Sequence, residues 1–245
     1  MLILLPYFMA CMERKRYVII MAAGSGTRMG ADRPKQFLEL DGKAVLQRTI
    51  EVFLEACPGI SVVTVLPEDF IGYWKDYCLK HNFICPQILV KGGITRFHSV
   101  RNALARIPDG AIAAVHDGVR PLVTPSKVRE LFDRAGNCPG VIPVVPCVDT
   151  MKVLTPSDSK DVWKETDGQK VDRSVLFGAQ TPQVFQSEIL KAAYDQPYDT
   201  AFTDDASVVS RYGKSLSYVM GERLNIKITT PEDLVLAEAV TAVRG

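Results

Sequence analysis

Three observations predict an α/β fold with a doubly wound, mostly parallel sheet. Short, continuously apolar runs alternate with helix-length amphipathic segments, a glycine-rich turn follows the first such run directly, and a 47% apolar content over 245 residues can fill the core of one sizeable domain. One stretch, from about 149 to 173, breaks the alternation and predicts a protruding β-arm.

The elements follow in order. Residues 17–22 (YVIIMA) are β-rich, apolar without interruption and bounded by Gly24, the pattern of a parallel strand buried on both faces. Helical spacing over 44–56 precedes a second buried strand at 61–66 (SVVTVL), an amphipathic helix over 68–80 and a short strand at 87–90. The same alternation gives a helix near 96–106, a strand at 111–115, a helix from about 125 to 135 and a strand at 141–145, which right-handed crossovers would wind into one sheet. In the arm, β-like pieces at 150–154 and 169–171 flank the polar segment 155–167, and apolar residues on both sides ask for a partner surface. Helices near 187–194 and 204–212, a strand at 216–219 and a last helix complete the chain. That helix is announced by Thr230 as cap, Pro231 at its first position and acids in its first turn.

Composition excludes several function classes. With 29 basic and 28 acidic residues the net charge is +1, so neither nucleic acid nor an anionic membrane is expected as partner, and any anion binding must be local. The six cysteines (11, 57, 78, 85, 138, 147) contain no CxxC pair and the three histidines (81, 98, 116) no zinc-ligand spacing, which suits reduced thiols in a cytoplasmic protein. The apolar opening MLILLPYFMACM is shorter than the roughly 20 residues a membrane span needs. It reads as an extension over 1–12, with translation starting near Met9 or Met12, ahead of a single domain over 13–245.

The turn after the first strand carries the chemistry. In MAAGSGTRMGADRPKQF (21–37), Gly24 and Gly26 let successive backbone N–H groups close on an anion, at the sheet edge where α/β proteins bind ligands. A dinucleotide fingerprint would need glycine where Met29 stands, and no GK[ST] ending follows. Instead it carries the cations Arg28 and Lys35, with Gly30 permitting a turn between them and Pro34 stiffening the chain beside Lys35. Two neighbouring cations repel unless an anion lies between them, and a triphosphate is the natural occupant.

This loop resembles the nucleotidyltransferase signature of the polyol-phosphate cytidylyltransferase family, and downstream segments agree: GGITR (92–96) with Ser99, HDGVRP (116–121), DTMK (149–152), VDR (171–173), QTPQ (180–183), TDDAS (203–207) and NIKIT (225–229). The likeness covers about residues 16–243 and is strongest to the branch acting on methylerythritol phosphate, in non-mevalonate isoprenoid synthesis. It implies a Rossmann-like nucleotidyltransferase fold and transfer of CMP from CTP to the polyol phosphate with release of pyrophosphate.

By the same resemblance, Arg28, Lys35, Arg173 and Lys227 are catalytic, and Ala22, Ala23, Gly24, Ser25, Gly26, Gly93, Ser99 and Asp117 hold CTP. Asp117 would ligate Mg²⁺, and Thr150, Arg173, Thr203 and Lys227 would bind methylerythritol phosphate. Taken alone, Ser99 reads as a helix-surface serine. Ile94 stands where some relatives are polar, and Leu224 where some supply a second acidic metal ligand, with Glu222 two residues earlier. The resemblance also implies a homodimer in which the arm crosses to the second subunit, so that Thr150 and Arg173 serve the partner's site. A ribitol 5-phosphate cytidylyltransferase, sharing the loop and HDGVRP, and a nucleotide-sensing protein without turnover are the alternative readings.

Overall fold

The structure is a computed structural model, and it describes residues 14–24, 34–166 and 171–244. Its framework is β1 (Arg16–Met21), β2 (Glu39–Leu40), β3 (Lys43–Ala44), α1 (Val45–Ala56), β4 (Ser61–Leu66), α2 (Ile71–Lys80), β5 (Gln87–Lys91), α3 (Arg96–Leu104), β6 (Ile112–Asp117), α4 (Pro125–Ala135) and β7 (Gly140–Pro146). There follow β8 (Leu154–Pro156), β9 (Trp163–Glu165), β10 (Phe177–Ala179), β11 (Gln183–Gln186), α5 (Ser187–Tyr194), α6 (Asp205–Arg211), β12 (Ser217–Met220) and α7 (Pro231–Arg244).

β1 is central, with β4 parallel on one side and β6 parallel on the other; β5 continues beyond β4. The chain therefore winds outward from β1 to β5 and then returns across it to β6, which creates the topological switch point where ligands of such sheets bind. The uninterrupted apolar run of β1 is explained by covering on both faces. Val18 and Ile20 join a cluster with Ile50 and Phe53 of α1, Trp74 of α2 and Leu131 of α4, whereas Tyr17 and Ile19 join Val100 of α3, Leu190 of α5 and Val209 of α6. Successive side chains point to opposite faces, so a strand covered twice must be apolar at every position.

Beyond β6 the sheet is mixed. β11 runs antiparallel between β6 and β7, and β10 runs antiparallel along the same edge of β7. β12 lies parallel on the other edge of β7, where Val141 and Val144 pair with Ser217 and Met220. Neither antiparallel strand was foreseen, since Phe177–Ala179 and Gln183–Gln186 are too short to show a period. The β2–β3 hairpin was also missed although its signal was present: Asp41 and Gly42 form a two-residue turn with φ of 48° and 74° at both positions, the conformation that an Asp-Gly pair favours between strands.

One further expectation is corrected and one holds. In the arm the paired strands are β8 and β9: of the β-like piece 150–154 only Leu154 lies in a strand, the other paired residues fall within the polar segment 155–167, and residue 171 is outside any strand, with 169 and 170 outside the described residues. α7 starts at Pro231 with Glu232 and Asp233 in its first turn, as expected, and Asp233 reaches back to accept from the backbone N–H groups of Thr229 and Thr230, at 2.8 and 2.9 Å.

Candidate nucleotide-binding site

A cavity of about 530 Å³ opens at the carboxyl edge of the sheet, bordered by the root of the β1 loop, the turn after β5, the end of β6 and the segment before α7. Met21 and Asp117 are register partners at the ends of β1 and β6, so the sheet itself sets the carboxylate beside the loop. Gly118 keeps these ends close. Its N–H donates to Met21 O at 2.9 Å, and a Cβ there would come within 3.0 Å of that same oxygen.

The loop root is held from below. Gln36, buried just after Lys35, donates from Nε2 to Ala22 O at 2.7 Å and to Gly24 O at 3.3 Å. Phe37 sinks next to it into an aromatic group of Phe70, Tyr73 and Trp74. Lys35 lines the cavity with Ala22, Ala23 and Gly24. Ser25, Gly26 and Arg28 lie outside the described residues.

The turn after β5 closes over this root. Gly92 sits where a Cβ would stand 2.6 Å from Ala23 Cβ, and Gly93 where one would stand 2.5 Å from His98 Cβ. Ser99 is only 3% exposed, which corrects its reading as a surface serine. Its hydroxyl accepts from Gly93 N–H at 2.9 Å and donates to Thr95 O at 2.9 Å, so it fixes the turn that lines the cavity. Thr95 caps α3, whose N-terminus thus faces the same space with the positive end of its dipole.

Cations converge on Asp117. Its Oδ2 forms an ion pair with Lys227 Nζ and accepts from Arg120 Nε, both at 3.1 Å. Burial would raise its carboxyl pKa, but Lys227, Arg96 and Arg120 outweigh it and hold the group far below the usual range, so it is anionic at any ordinary pH. Arg120 Nη1 also donates to Asn225 O at 2.7 Å, and Ile228 N–H to Val119 O at 2.9 Å, which fastens the NIKIT segment along β6 and brings Lys227 into reach. Arg96 is clamped by both oxygens of the fully buried Asp205, at 2.8 and 2.5 Å, and Tyr194 OH donates to that carboxylate at 2.5 Å. Burial disfavours the Arg96 charge, yet Asp205 raises its pKa further still. GGITR and TDDAS, distant in sequence, are thereby one unit.

The acceptor-side residues divide. Lys227 is in the cavity, but Thr150, Arg173 and Thr203 are exposed and outside its lining. Arg173 donates from Nη1 to Val148 O at 2.9 Å, at the base of the arm, and Thr203 immediately precedes Asp204, the cap of α6. Glu222 is directed away: its oxygens accept from Thr124 N–H at 2.9 Å and Thr124 OH at 2.6 Å, capping α4. Arg96, Arg120, Gln36 and Thr229 complete the site. All sat within motifs, and only their contacts reveal their tasks.

A sequence profile of the 2-C-methyl-D-erythritol 4-phosphate cytidylyltransferase (IspD) family matches residues 17–242, which takes in every segment just described. The chain belongs to that family. It is 44% identical over 225 residues to the 2-C-methyl-D-erythritol 4-phosphate cytidylyltransferase of Phocaeicola vulgatus, covering 92% of this chain and 99% of the relative. The Porphyromonas gingivalis (strain W83) enzyme is 46% identical over 230 residues, covering 93% and 98%.

Among solved structures, the 4-diphosphocytidyl-2C-methyl-D-erythritol synthase of Anaerococcus prevotii superposes with a TM-score of 0.74 at 26% identity, covering 94% of this chain and 99% of that one. The Thermus thermophilus 2-C-methyl-D-erythritol 4-phosphate cytidylyltransferase gives 0.69 at 27% identity, with the same coverage. As a member of this cytidylyltransferase family the chain is an enzyme of isoprenoid precursor synthesis, a nucleotidyltransferase that passes the cytidylyl group of CTP to 2-C-methyl-D-erythritol 4-phosphate. The mostly parallel sheet with flanking helices is the architecture of these neighbours.

Proposed function

We propose that the cavity between β1 and β6 is where that transfer occurs, and that its residues act almost wholly by charge and position. The observation that carries this is the junction of Lys35, Lys227, Arg96 and the N-terminus of α3 around one anionic side chain, Asp117, at the switch point of the sheet. The acceptor's phosphate monoester is largely dianionic at pH 7 and needs no general base. One of its oxygens attacks the α-phosphorus of CTP, the bond from that phosphorus to the β-phosphate oxygen breaks, and pyrophosphate leaves with the electron pair. Two polyanions must meet in line for this, so fixed positive charge is the chief requirement.

In this reading Ala22, Ala23 and Gly24, with Ser25 and Gly26 beyond them, take the triphosphate on backbone N–H groups. Arg28 and Lys35 stabilise charge on the α-phosphate and the departing pyrophosphate, while Gly93 and the edge set by Ser99 receive the cytosine. Lys227 steers the attacking phosphate. Asp117 would hold Mg²⁺ when it is bound, and the ion would supply positive charge against the phosphates. Asp117 fits as its protein ligand, because both cations contact Oδ2 and Oδ1 has no hydrogen-bond partner among the described residues. With Glu222 engaged at α4 and no cluster of three metal-ligating side chains among the described residues, the donor set suits a metal that arrives on nucleotide phosphates more than one caged by protein.

Thr150 and Arg173 act, in the same reading, in the site of a second copy of the chain. Val148, Met151, Leu154, Trp163, Val175 and Phe177 are all about half exposed or more, which supports an arm that packs on a partner. No helix among the described residues is long and apolar enough to cross a membrane, and the five described cysteines are unpaired, as suits the reducing cytoplasm in which we place the reaction.

The test is pyrophosphate release with CTP, ATP, GTP and UTP, each paired with methylerythritol phosphate and ribitol phosphate. Turnover confined to CTP with methylerythritol phosphate is expected. Preference for ribitol phosphate, or binding of CTP without turnover, would overturn the assignment.

A further inference from the structure

The QTPQ segment has no role in the reaction as derived so far, yet Thr181 lies directly behind Asp117. Its hydroxyl oxygen accepts from Asp117 N–H at 3.1 Å and lies 3.0 Å from His116 Nδ1. On the far side of that ring, His116 Nε2 lies 3.1 Å from Arg120 O. A carbonyl can only accept, so Nε2 carries the proton, Nδ1 accepts, and the Thr181 hydroxyl must donate to it. The remaining link is Arg120 Nε, which donates to Asp117 Oδ2.

Asp117, Thr181, His116 and Arg120 thus form a closed circuit in which each donor meets an acceptor. The circuit is sealed: His116 is fully buried, packed edge-on against Phe53 at 4.9 Å between ring centres, and Thr181 is itself held by Asn225 Nδ2, which donates to Thr181 O at 2.8 Å.

We propose that Thr181 is a positioning residue for the transfer: its hydroxyl, bridging Asp117 N–H and His116 Nδ1, locks the His116 ring and the Arg120 turn so that Asp117 is held through Oδ2 and offers Oδ1 to the nucleotide-borne charge. The inference rests on the reading of the cavity as the transfer site. Thr181 touches no reactant. It acts through Asp117, as outer partners of charged ligands do when they fix orientation.

Two substitutions separate the hydroxyl from the shape of the side chain. Thr181→Val keeps the branching and removes both hydrogen bonds, whereas Thr181→Ser keeps the hydroxyl. Loss of such an outer partner typically costs about 10- to 100-fold, and here the loss is expected in kcat while KM for CTP stays near the wild-type value. Thr181→Ser is expected to recover most of kcat.

The second readout needs no turnover. The chain has three histidines, so nitrogen-15 spectra of the wild type should show one buried ring protonated at Nε2, with an Nδ1 resonance that moves in Thr181→Val and returns in Thr181→Ser. If Thr181→Val fails to fold, Thr181→Ala against Thr181→Ser gives the same contrast. Wild-type kcat in the valine variant, equal damage in the valine and serine variants, or a wild-type His116 protonated at Nδ1 would each overturn the proposal. A wild type that binds CTP but releases no pyrophosphate would instead overturn the transfer reading, and the ring spectra would still decide the circuit.

Discussion

The rim of the sheet and the arm are built on opposite principles. At the rim nearly every polar group is answered within the chain: Asp117 by Lys227 and Arg120, Arg96 by Asp205, Ser99 by Gly93 and Thr95, Gln36 by the loop root. The arm carries a two-stranded ribbon, β8 on β9, with Trp163 59% exposed; at its base Val175 is 69% exposed and Arg173 Nη1 donates to Val148 O. An isolated hairpin of this kind is marginal by itself, and exposed apolar side chains gain stability only from another surface. The rim is therefore preorganised within one chain, whereas the arm leaves apolar side chains that only another surface would bury.

The sharpest way to break the rim is to remove a cation that faces the reacting phosphates. Lys35→Ala should lower kcat about 100- to 1,000-fold, as loss of one preorganised charge-stabilising group typically does. CTP binding should remain measurable by calorimetry, since in the proposed reading backbone groups and other cations also hold the triphosphate. Turnover near the wild-type rate would remove Lys35 from the reaction.

The comparison is sharpened by mixing subunits. Lys35→Ala and Arg173→Ala chains should each be nearly inactive, but after exchange about half the dimers are mixed and one of their two sites is intact, giving about a quarter of wild-type activity for a twofold assembly. A mixture as inactive as its parents, with exchange verified by mass spectrometry of differently tagged chains, would place Lys35 and Arg173 in the same subunit's site.

How much of this could be read beforehand depends on the range of the signal. The parallel core was legible because β1, β4 and β6 are covered on both faces and so are apolar along most of their length. Gly24, Lys35, Asp117 and Lys227 stand in local motifs that could be picked out beforehand, and the fold brings these four to one cavity. The antiparallel insertion of β11 was not, since four residues, QVFQ, carry no period, and its place between β6 and β7 is decided by tertiary pairing. The same holds for Arg96 with Asp205 and for Thr181 with His116. Each residue stood in a recognised segment, but partners 109 and 65 positions apart are joined only by the fold. In the arm the hairpin formed but further along than expected: apart from Leu154 its paired residues lie in the polar segment, because hairpin pairing is set by register around a turn, here with Asp161 at a φ of 60°, and not by burial.

A pH series tests how firmly the rim is sealed. Burial, the leading cause, pushes the His116 pKa down to about 4 from the ordinary 6.5, against smaller opposing pulls from Arg120 O and Asp117. The unfolded chain then binds a proton that the folded chain refuses between these values. The stability from keeping His116 neutral is complete above about pH 6.5 and is lost as the pH falls toward 4, by at most about 3 kcal/mol. Urea unfolding at pH 7 and pH 4.5 measures the loss, and nitrogen-15 spectra should show His116 still neutral at pH 5. Titration near 6.5 would mean that water reaches the circuit.

The smallest effect on the single chain should come from the arm, and that smallness is the point of the contrast. Trp163 and Val175 are exposed, so Trp163→Ser or Val175→Ser should change the unfolding free energy of an isolated subunit by no more than about 0.5 kcal/mol, as surface substitutions do. Their cost belongs to association. Sedimentation over a dilution series should show the substituted chains dissociating at concentrations where the wild type stays paired, and activity per chain should fall in step with the paired fraction, because Arg173 then reaches no neighbouring site. Dilution that separates the subunits without lowering activity per chain would mean that each subunit completes its site alone, and the exposed apolar side chains of the arm would need another occupant.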